Sequence, residues 1–436
     1  MVMRIRYRPT FRGTELSLLL YPALLAIVGL ITIVVVPRTQ LDWTWRDIWP
    51  SLAFAGVAIG LSLAFSIRGF RGDQVLLPVT ATLAVIGLLM MQRLNPDLSD
   101  LGLAQKQLVF LAAGTAILTG TVMLAGPLNL IDWLGRYKYT WLLISLALQA
   151  ATFFIGTEVY GARLWIQVGP IQIQPSEIVK VTLVIFMASY LDQKRDLIGS
   201  SWRVGPLSLP PIPYLLPMGV MWAGSLLTLV ALNDLGSALL FFGIFLAMLY
   251  AASGRPVYVA VGMLTFGMAC WVAWETFSRI GIRVQNWIDP WADPYGVGYQ
   301  QIHSEYALAS GGILGTGFGR GQPTLIPEVH SDFILSAIGE ELGLLGTLTI
   351  VALYFLLVMR GYMIALRVRD GFAQLLAFGL SSILAIQTII IIGGVIRLIP
   401  LTGITLPFIS YGGSSLLVNF AIVGLLLHIS SLPRRI

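Results

Sequence analysis

Twelve stretches of about twenty mostly apolar residues recur along this chain, and that recurrence limits its fold more than any other feature. They lie at 15–36, 48–67, 75–94, 107–126, 139–156, 176–191, 212–231, 235–252, 256–275, 333–359, 372–396 and 410–431. A helix of that length matches a hydrocarbon core about 30 Å thick. Open backbone is not tolerated against lipid, so runs of this kind must be helices. The expected fold is an all-α polytopic membrane protein with about 12 transmembrane helices. Composition agrees: mean hydropathy is +0.83 and only 11% of residues are charged, where a soluble domain has about a quarter. The first run is too long for a signal-peptide core and no small-residue cleavage site follows, so it reads as a retained span. A single cysteine, Cys270, excludes an intrachain disulfide.

An even number of spans puts both termini on one side of the membrane. Seventeen of the 27 Lys and Arg residues fall on that side, nine on the other, and Lys180 lies within a span. The bias predicts cytoplasmic termini. The net charge of +6 is then mostly topological. No nucleic-acid motif or basic domain is present, so nucleic acid is excluded as a partner. The longest loop, 276–331, faces outside between the ninth and tenth spans. It is rich in Gly, Trp, Tyr, Asp and Arg and has no Lys. A loop of this length is functional or disordered, and its aromatic content argues against disorder. Outer loops 157–175 and 397–409 are the other informative ones. No strong internal repeat is visible.

Charge is rare enough here that each carboxylate near a span needs a reason. In "PEVHSDFILSAIGEELGLLG" (327–346), a continuous helix would put Asp332, Ser336, Gly339, Gly343 and Gly346 on one face. Glu341 would point the opposite way, with Glu340 on the flank. Asp332 then either stabilises a helix N-terminus or stands at the mouth of a cavity that the small residues keep open. Glu177 and Lys180 are spaced to pair on one helix face, either as mutual neutralisation or as a functional pair. Trp165 suits an interface belt, or with Arg163 a sugar and phosphate contact. Asp234 sits in a very short outer hairpin. Arg283 and Asp293 fit a surface pair. Gly and Ser in "PFISYGGSS" (407–415) serve close packing or an anion site. The three His are scattered, and no spacing suggests a metal site made by protein ligands.

Several motifs occur in a telling order: "GARLW", "QPSEIVK", "NDLG", "DPWADPYGVGYQ", "SGGILGTGFGRG", "IPEVHSDF", "GEELGLLG" and "PLTGITLPFISYGGSS". Together they resemble the SEDS family, the FtsW/RodA/SpoVE group, over about residues 75–431. The resemblance implies a ten-helix catalytic core at 71–436, preceded in residues 1–70 by two extra helices. Outer loop 37–47, between those extra helices, carries no family motif, so the pair is expected to be peripheral to the chemistry. The implied function is a peptidoglycan glycosyltransferase of the bacterial cytoplasmic membrane that polymerises lipid II. Its implied partners are a class B penicillin-binding protein transpeptidase and other divisome or elongasome membrane proteins.

By the same resemblance Asp332 is the catalytic residue. The substrate-binding set is Arg163, Trp165, Gln174, Ser176, Glu177, Lys180, Asp234, Arg283, Tyr299, Gln300, His330, Ser336, Ser410, Gly412, Gly413 and Ser414. Glu340 and Glu341 are assigned to helix and loop support. No cofactor held by protein ligands is expected; a divalent cation, Mg or Mn, would arrive with the substrate pyrophosphate. Two features depart from the family pattern: Leu232-Asn233 precede Asp234 in place of Gln-Pro or Glu-Pro, and Arg397 is an added outer cation. A lipid II flippase and, from another class, a twelve-span secondary transporter are the alternatives. The missing two-fold repeat argues against the transporter.

Overall fold

The computed structural model describes residues 11–35, 45–95, 98, 102–159, 162–169, 171–199, 202–204, 207–209 and 212–433. Every one of the twelve apolar stretches is helical. They form α1 (Gly13–Val35), α2 (Trp45–Ile67), α3 (Leu76–Leu94), α4 (Leu103–Ala125), α6 (Lys138–Ile155), α7 (Pro175–Gly199), α8 (Ile212–Ala231), α9 (Leu235–Ser253), α10 (Pro256–Thr276), α13 (Ile334–Arg367), α14 (Gly371–Val395) and α15 (Gly413–Ser430). Short helices α5 (Leu130–Arg136), α11 (Ser278–Ile288) and α12 (Tyr299–Gly311) complete the set. Among the described residues ten helices are long and apolar enough to cross a membrane; α7 and α8 fall outside that group. In α7 the reason is its charge, from Glu177 and Lys180 to the Asp192–Asp196 end.

Helix ends follow local chemistry. Asp234 caps α9 by accepting the Ser237 N–H at 3.0 Å, and Gly254 ends that helix in the left-handed region (φ 66). Pro256 then opens α10, where its missing N–H costs nothing. Asp370 caps α14 through the Ala373 N–H.

Two segments between spans, one of them the outer loop 157–175, form strands. The 157–175 loop is a three-stranded antiparallel sheet, β1 (Thr157–Val159), β2 (Ala162–Val168) and β3 (Ile171–Ile173), in the order β1-β2-β3. A hairpin of β4 (Trp202–Val204) and β5 (Leu207–Leu209) follows α7. These strands are short, and helices dominate the fold.

The chain forms two compact units. The first comprises the described residues up to Met123, Gln300–Arg360 and Thr405–Pro433; the second comprises Leu124–Tyr299 and Gly361–Ile404. In the first unit α3 is the central helix, with 17 of its residues buried. The N-terminal pair belongs to this unit. Gly29 of α1 lets that helix lie against Leu89 of α3, whose Cδ1 is 2.6 Å from where a Cβ would stand. In the second unit α7, α9 and α14 pack together, and Gly379 admits Val184 and Met248.

The expected continuous helix over 333–359 is broken. Gly343 has φ 67 and ψ −167, which separates a short helix before it from the segment after it. Residues 344–367 alone span about 36 Å, enough for a membrane crossing. The break has a cause in packing. Gly343 sits against the Gly315 N–H and the Ile313 carbonyl, leaving no room for a side chain. The Leu344 and Leu345 N–H groups donate to the Gly312 and Ile313 carbonyls, at 2.9 and 3.2 Å. The glycine-rich 311–321 segment thus replaces the helical hydrogen bonds that the break gives up.

Candidate functional site

The sequence-derived site residues divide between the two units. In the first, Asp332 ends a tight turn just before the short buried helix. The Ser331 and Asp332 N–H groups both donate to the Glu328 carbonyl, at 3.1 Å each, and Glu328 itself is left-handed (φ 54). Asp332 is half-buried, whereas every residue from Phe333 to Glu341 is buried. His330 Nε2 lies 3.8 Å from Glu328 Oε2, and its ring tilts over Tyr411 at 5.6 Å. Burial pushes the His330 pKa down, partly opposed by Glu328.

The 405–411 segment packs under this turn. The Tyr411 N–H donates to the His330 carbonyl at 2.8 Å, and the Ser410 hydroxyl donates to the Ser331 carbonyl at 2.6 Å. From below, Tyr354 Oη donates to the Pro407 carbonyl. Tyr354 lies eleven residues past the Gly343 break, about 16 Å along its helix. The segment therefore reaches membrane depth, where irregular backbone survives only inside protein. Phe408, Ile409 and Ser410 are accordingly buried.

One expectation about this region is corrected. Ser336, Gly339 and Gly343 do not line an open cavity. The Ser336 hydroxyl is fully buried and hydrogen-bonds Ser304 at 2.7 Å. A Cβ on Gly339 would meet Leu308 at 2.5 Å, and Gly311 rests on the Gly339 carbonyl. The small residues are there because two chain segments cross at close range. Likewise Gly413 is small because the Phe110 ring stands 2.5 Å from its would-be Cβ. Gly412 precedes α15, and Ser414 is buried in its first turn. Gln300 opens the first unit's part of α12 and is half-buried.

Glu340 and Glu341 do support helix and loop. Glu340 accepts the Gln322 N–H at 2.7 Å. Glu341 accepts the Gly319 N–H at 2.9 Å and pairs with Arg93 at 2.7 Å. Arg93 also donates to the Gly321 carbonyl at 2.9 Å. Arg93 is not among the sequence-derived site residues. Its position at the end of an apolar run, with an acidic pair elsewhere in the chain, was the available signal.

In the second unit, Glu177 and Lys180 form the ion pair that their spacing predicts, both buried. Lys180 also donates to Gln387 Oε1 of α14 at 2.9 Å, a partner that no sequence pattern announced. Gln174 accepts the Glu177 N–H on its carbonyl, and Gln174 and Ser176 are nearly buried beside it. Asp234 is also buried, close to Ser176 and Glu177. Burial pushes its carboxyl pKa up, against the Ser237 N–H that steadies the charge. Asn233, left-handed at φ 61, makes the turn before Asp234.

The remaining members are more exposed. Arg163 pairs with Glu158 across β1 and β2 at 3.6 Å on the surface. Trp165 is half-buried on β2, and its carbonyl accepts the Thr157 hydroxyl. Arg283 is exposed on α11, and Tyr299 is half-buried at the start of α12. The Asp293 carboxylate accepts the Gly296 and Val297 N–H groups, so it forms a turn. The added cation Arg397 donates to the Ile288 carbonyl at 3.3 Å, and its own carbonyl accepts the Trp287 indole N–H at 3.0 Å. It staples α11 to the 397–404 segment.

A polytopic helical fold with ten helices long and apolar enough to cross a membrane among the described residues, and with buried ion pairs inside it, defines a multi-pass membrane protein. The family model for cell cycle proteins of the FtsW/RodA/SpoVE type matches residues 73–434, and the chain belongs to that family. It is 38% identical to the peptidoglycan glycosyltransferase RodA of Mycobacterium tuberculosis over 98% of this chain and 92% of the relative. It is 40% identical to a probable peptidoglycan glycosyltransferase FtsW of Geobacter metallireducens, over 64% of this chain and 72% of the relative. Among solved structures, a chain from a study of polymerisation and crosslinking by a peptidoglycan synthase complex is similar with a TM-score of 0.68. That chain is 26% identical, covering 83% of this chain and 98% of the other. The crystal structure of RodA from Thermus thermophilus shares the fold, with a TM-score of 0.60 at 24% identity over 83% and 97% of the two chains.

Proposed function

We propose that this protein is a peptidoglycan glycosyltransferase that joins lipid II disaccharide units into glycan strands at the outer face of the bacterial cytoplasmic membrane. The observation that carries the reading is the near full-length similarity to the mycobacterial glycosyltransferase. The 71–436 part is the catalytic membrane domain, and both termini are cytoplasmic; a membrane-impermeant thiol reagent reaching Gln322→Cys but not Ser200→Cys in intact cells checks that orientation. A class B penicillin-binding protein transpeptidase is the partner, supported by the similarity to a chain from a peptidoglycan synthase complex.

In the reaction the 4-hydroxyl of one sugar attacks C1 of a lipid-linked donor. The new O–C1 bond forms as the bond from C1 to the lipid pyrophosphate breaks. The hydroxyl proton passes to the Asp332 carboxylate as general base. Asp332 suits the role because the turn holds its backbone while the side chain stays half-buried. The leaving pyrophosphate gains from cations. Arg163, Arg283, Arg320 and Arg397 are the outer cations that could serve it, and Arg283 and Arg320 are exposed. Among the described residues no three His, Cys, Asp or Glu side chains gather as a metal site. A Mg or Mn ion would arrive with the substrate pyrophosphate. Of the sequence-derived set, the half-buried Trp165, Tyr299, Gln300 and His330 act as lipid II contacts, whereas Ser336 and Ser410 are buried in hydrogen bonds to other parts of the chain.

The test is polymerisation of lipid II by purified protein, with and without its transpeptidase partner. Asp332→Asn keeps the shape and removes the base, and a rate loss of about 10²–10⁴ is expected. Wild-type polymerisation by Asp332→Asn would remove its assigned role. Transport of lipid II across liposomes with no polymer formed would establish a flippase instead.

A further inference from the structure

Asp332 is oriented by a peptide plane that another part of the chain holds. The carbonyl before its own N–H belongs to Ser331. That carbonyl accepts the Ser410 hydroxyl at 2.6 Å. The Ser410 oxygen in turn accepts the Leu406 N–H at 2.9 Å. One residue further on, the Tyr411 N–H donates to the His330 carbonyl at 2.8 Å. Two successive carbonyls ahead of Asp332 are thus fixed by two successive residues of one loop.

That loop is itself held rigidly. Phe408 is left-handed at φ 67, a conformation a bulky residue keeps only when its surroundings impose it. Its side chain is 1% exposed and meets Phe420 edge-on at 5.4 Å. The Phe408 and Ile409 carbonyls stand 2.7 Å from where a Cβ on Gly87 would be, so α3 presses directly on the loop backbone. Tyr354 anchors Pro407 from the far side.

We propose that Ser410 is a positioning residue for Asp332, transmitting the rigidity of the 405–411 loop to the general base, and that it does not contact lipid II itself. The inference rests on the assignment of Asp332 as base. Its burial supports the second part: Ser410 is 3% exposed, with its hydroxyl donating to one backbone group and accepting from another. Removing the hydroxyl leaves the Ser331 carbonyl and the Leu406 N–H without that partner, and only the Asp332 N–H bond to the Glu328 carbonyl then holds that peptide plane, which loosens it. Displacements of about 1 Å at a reacting group cost on the order of 10²-fold in rate.

The experiment measures kcat and KM for lipid II, lipid II binding and the thermal transition for Ser410→Ala, Ser410→Cys, Ser410→Thr and Asp332→Asn. Ser410→Ala should lower kcat about 10- to 100-fold with KM and binding within about twofold. Ser410→Thr, which keeps the hydroxyl, should retain most of the rate, and Ser410→Cys should fall between. If Ser410→Ala does not fold, the Cys and Thr variants carry the same comparison. A wild-type kcat in Ser410→Ala or Ser410→Cys overturns the proposal. So does a loss of kcat, binding and thermal stability in parallel, which marks a purely structural residue. A rise in KM alone would assign Ser410 to substrate contact and overturn it as well. Should Asp332→Asn polymerise normally, the base assignment fails instead, and the positioning role falls with it.

Discussion

The Arg93 guanidinium meets the Glu341 carboxylate at 2.7 Å with both side chains closed off from solvent, at 2% and 0% exposure. This pair joins α3 to the end of the short helix that follows Asp332, just before the Gly343 break. Its spare hydrogen-bonding capacity goes to the Gly319 N–H and the Gly321 carbonyl. One buried contact therefore holds both the break and the glycine-rich segment that fills it.

Removing one partner leaves an uncompensated buried charge, which costs about 3–5 kcal/mol. Glu341→Gln and Arg93→Met should each lower the thermal transition in detergent sharply. The double variant should recover part of that loss, since neither charge is then stranded. Strictly additive losses in the three variants would show that the two residues act independently.

The Lys180–Glu177 pair predicts the same coupling with a different readout. Lys180 also donates to Gln387, so Glu177→Gln leaves a buried cation with neutral partners in place of its carboxylate. The combined Glu177→Gln and Lys180→Met variant should be folded and inactive if the pair serves lipid II. Full polymerase activity in that variant would leave it a structural role only.

Asp234 separates capping from charge. Its pKa is raised above 3.8 by burial, so the folded state favours the protonated form. Relative to the unfolded chain this group helps at low pH, and the benefit is lost as pH rises through its folded pKa. Above its folded pKa the charged group is a net burden, which its cap to Ser237 only partly offsets. Asp234→Asn keeps a good N-cap without the charge, so its stability relative to wild type should increase as pH rises from about 4 to 8. Asp234→Ala should lose about 1 kcal/mol of capping. Thermal transitions across that pH range decide; a pH-independent difference for Asp234→Asn would contradict the sign.

The N-terminal pair of helices is tied in by Arg12, which is 1% exposed. It pairs with Glu15 and donates to the carbonyls of Phe70, Gly72 and Asp73 at 2.9, 3.2 and 2.7 Å. Arg12→Ala strands Glu15 and should destabilise the protein by about 3–5 kcal/mol. The folded fraction should still polymerise lipid II at the wild-type specific rate, measured per mole of substrate-binding protein. A fall in that specific rate would bring these helices into the working part of the enzyme.

The positions of the spans, the cost of Glu177 and Lys180 in a helix and their pairing were all legible in the sequence. Each depends on residues a few positions apart, where helical spacing alone decides who meets whom. The turn at Asp234 was legible only in part: the capping residue is local, but its burial beside Ser176 and Glu177 is not. The face drawn through Asp332, Ser336, Gly339, Gly343 and Gly346 failed because Ser304, Leu308 and Gly311 pack against it and because Gly343 breaks the helix before Gly346. A glycine inside an apolar run is compatible with a straight helix, and only the backbone of residues 311–321 packed against it makes the break. Arg93 finding Glu341, Lys180 finding Gln387 and Ser410 finding the carbonyl before Asp332 belong to tertiary structure for the same reason. Those partners lie 79 to 248 residues apart, and a buried charge or hydroxyl must find a partner without the local sequence saying which.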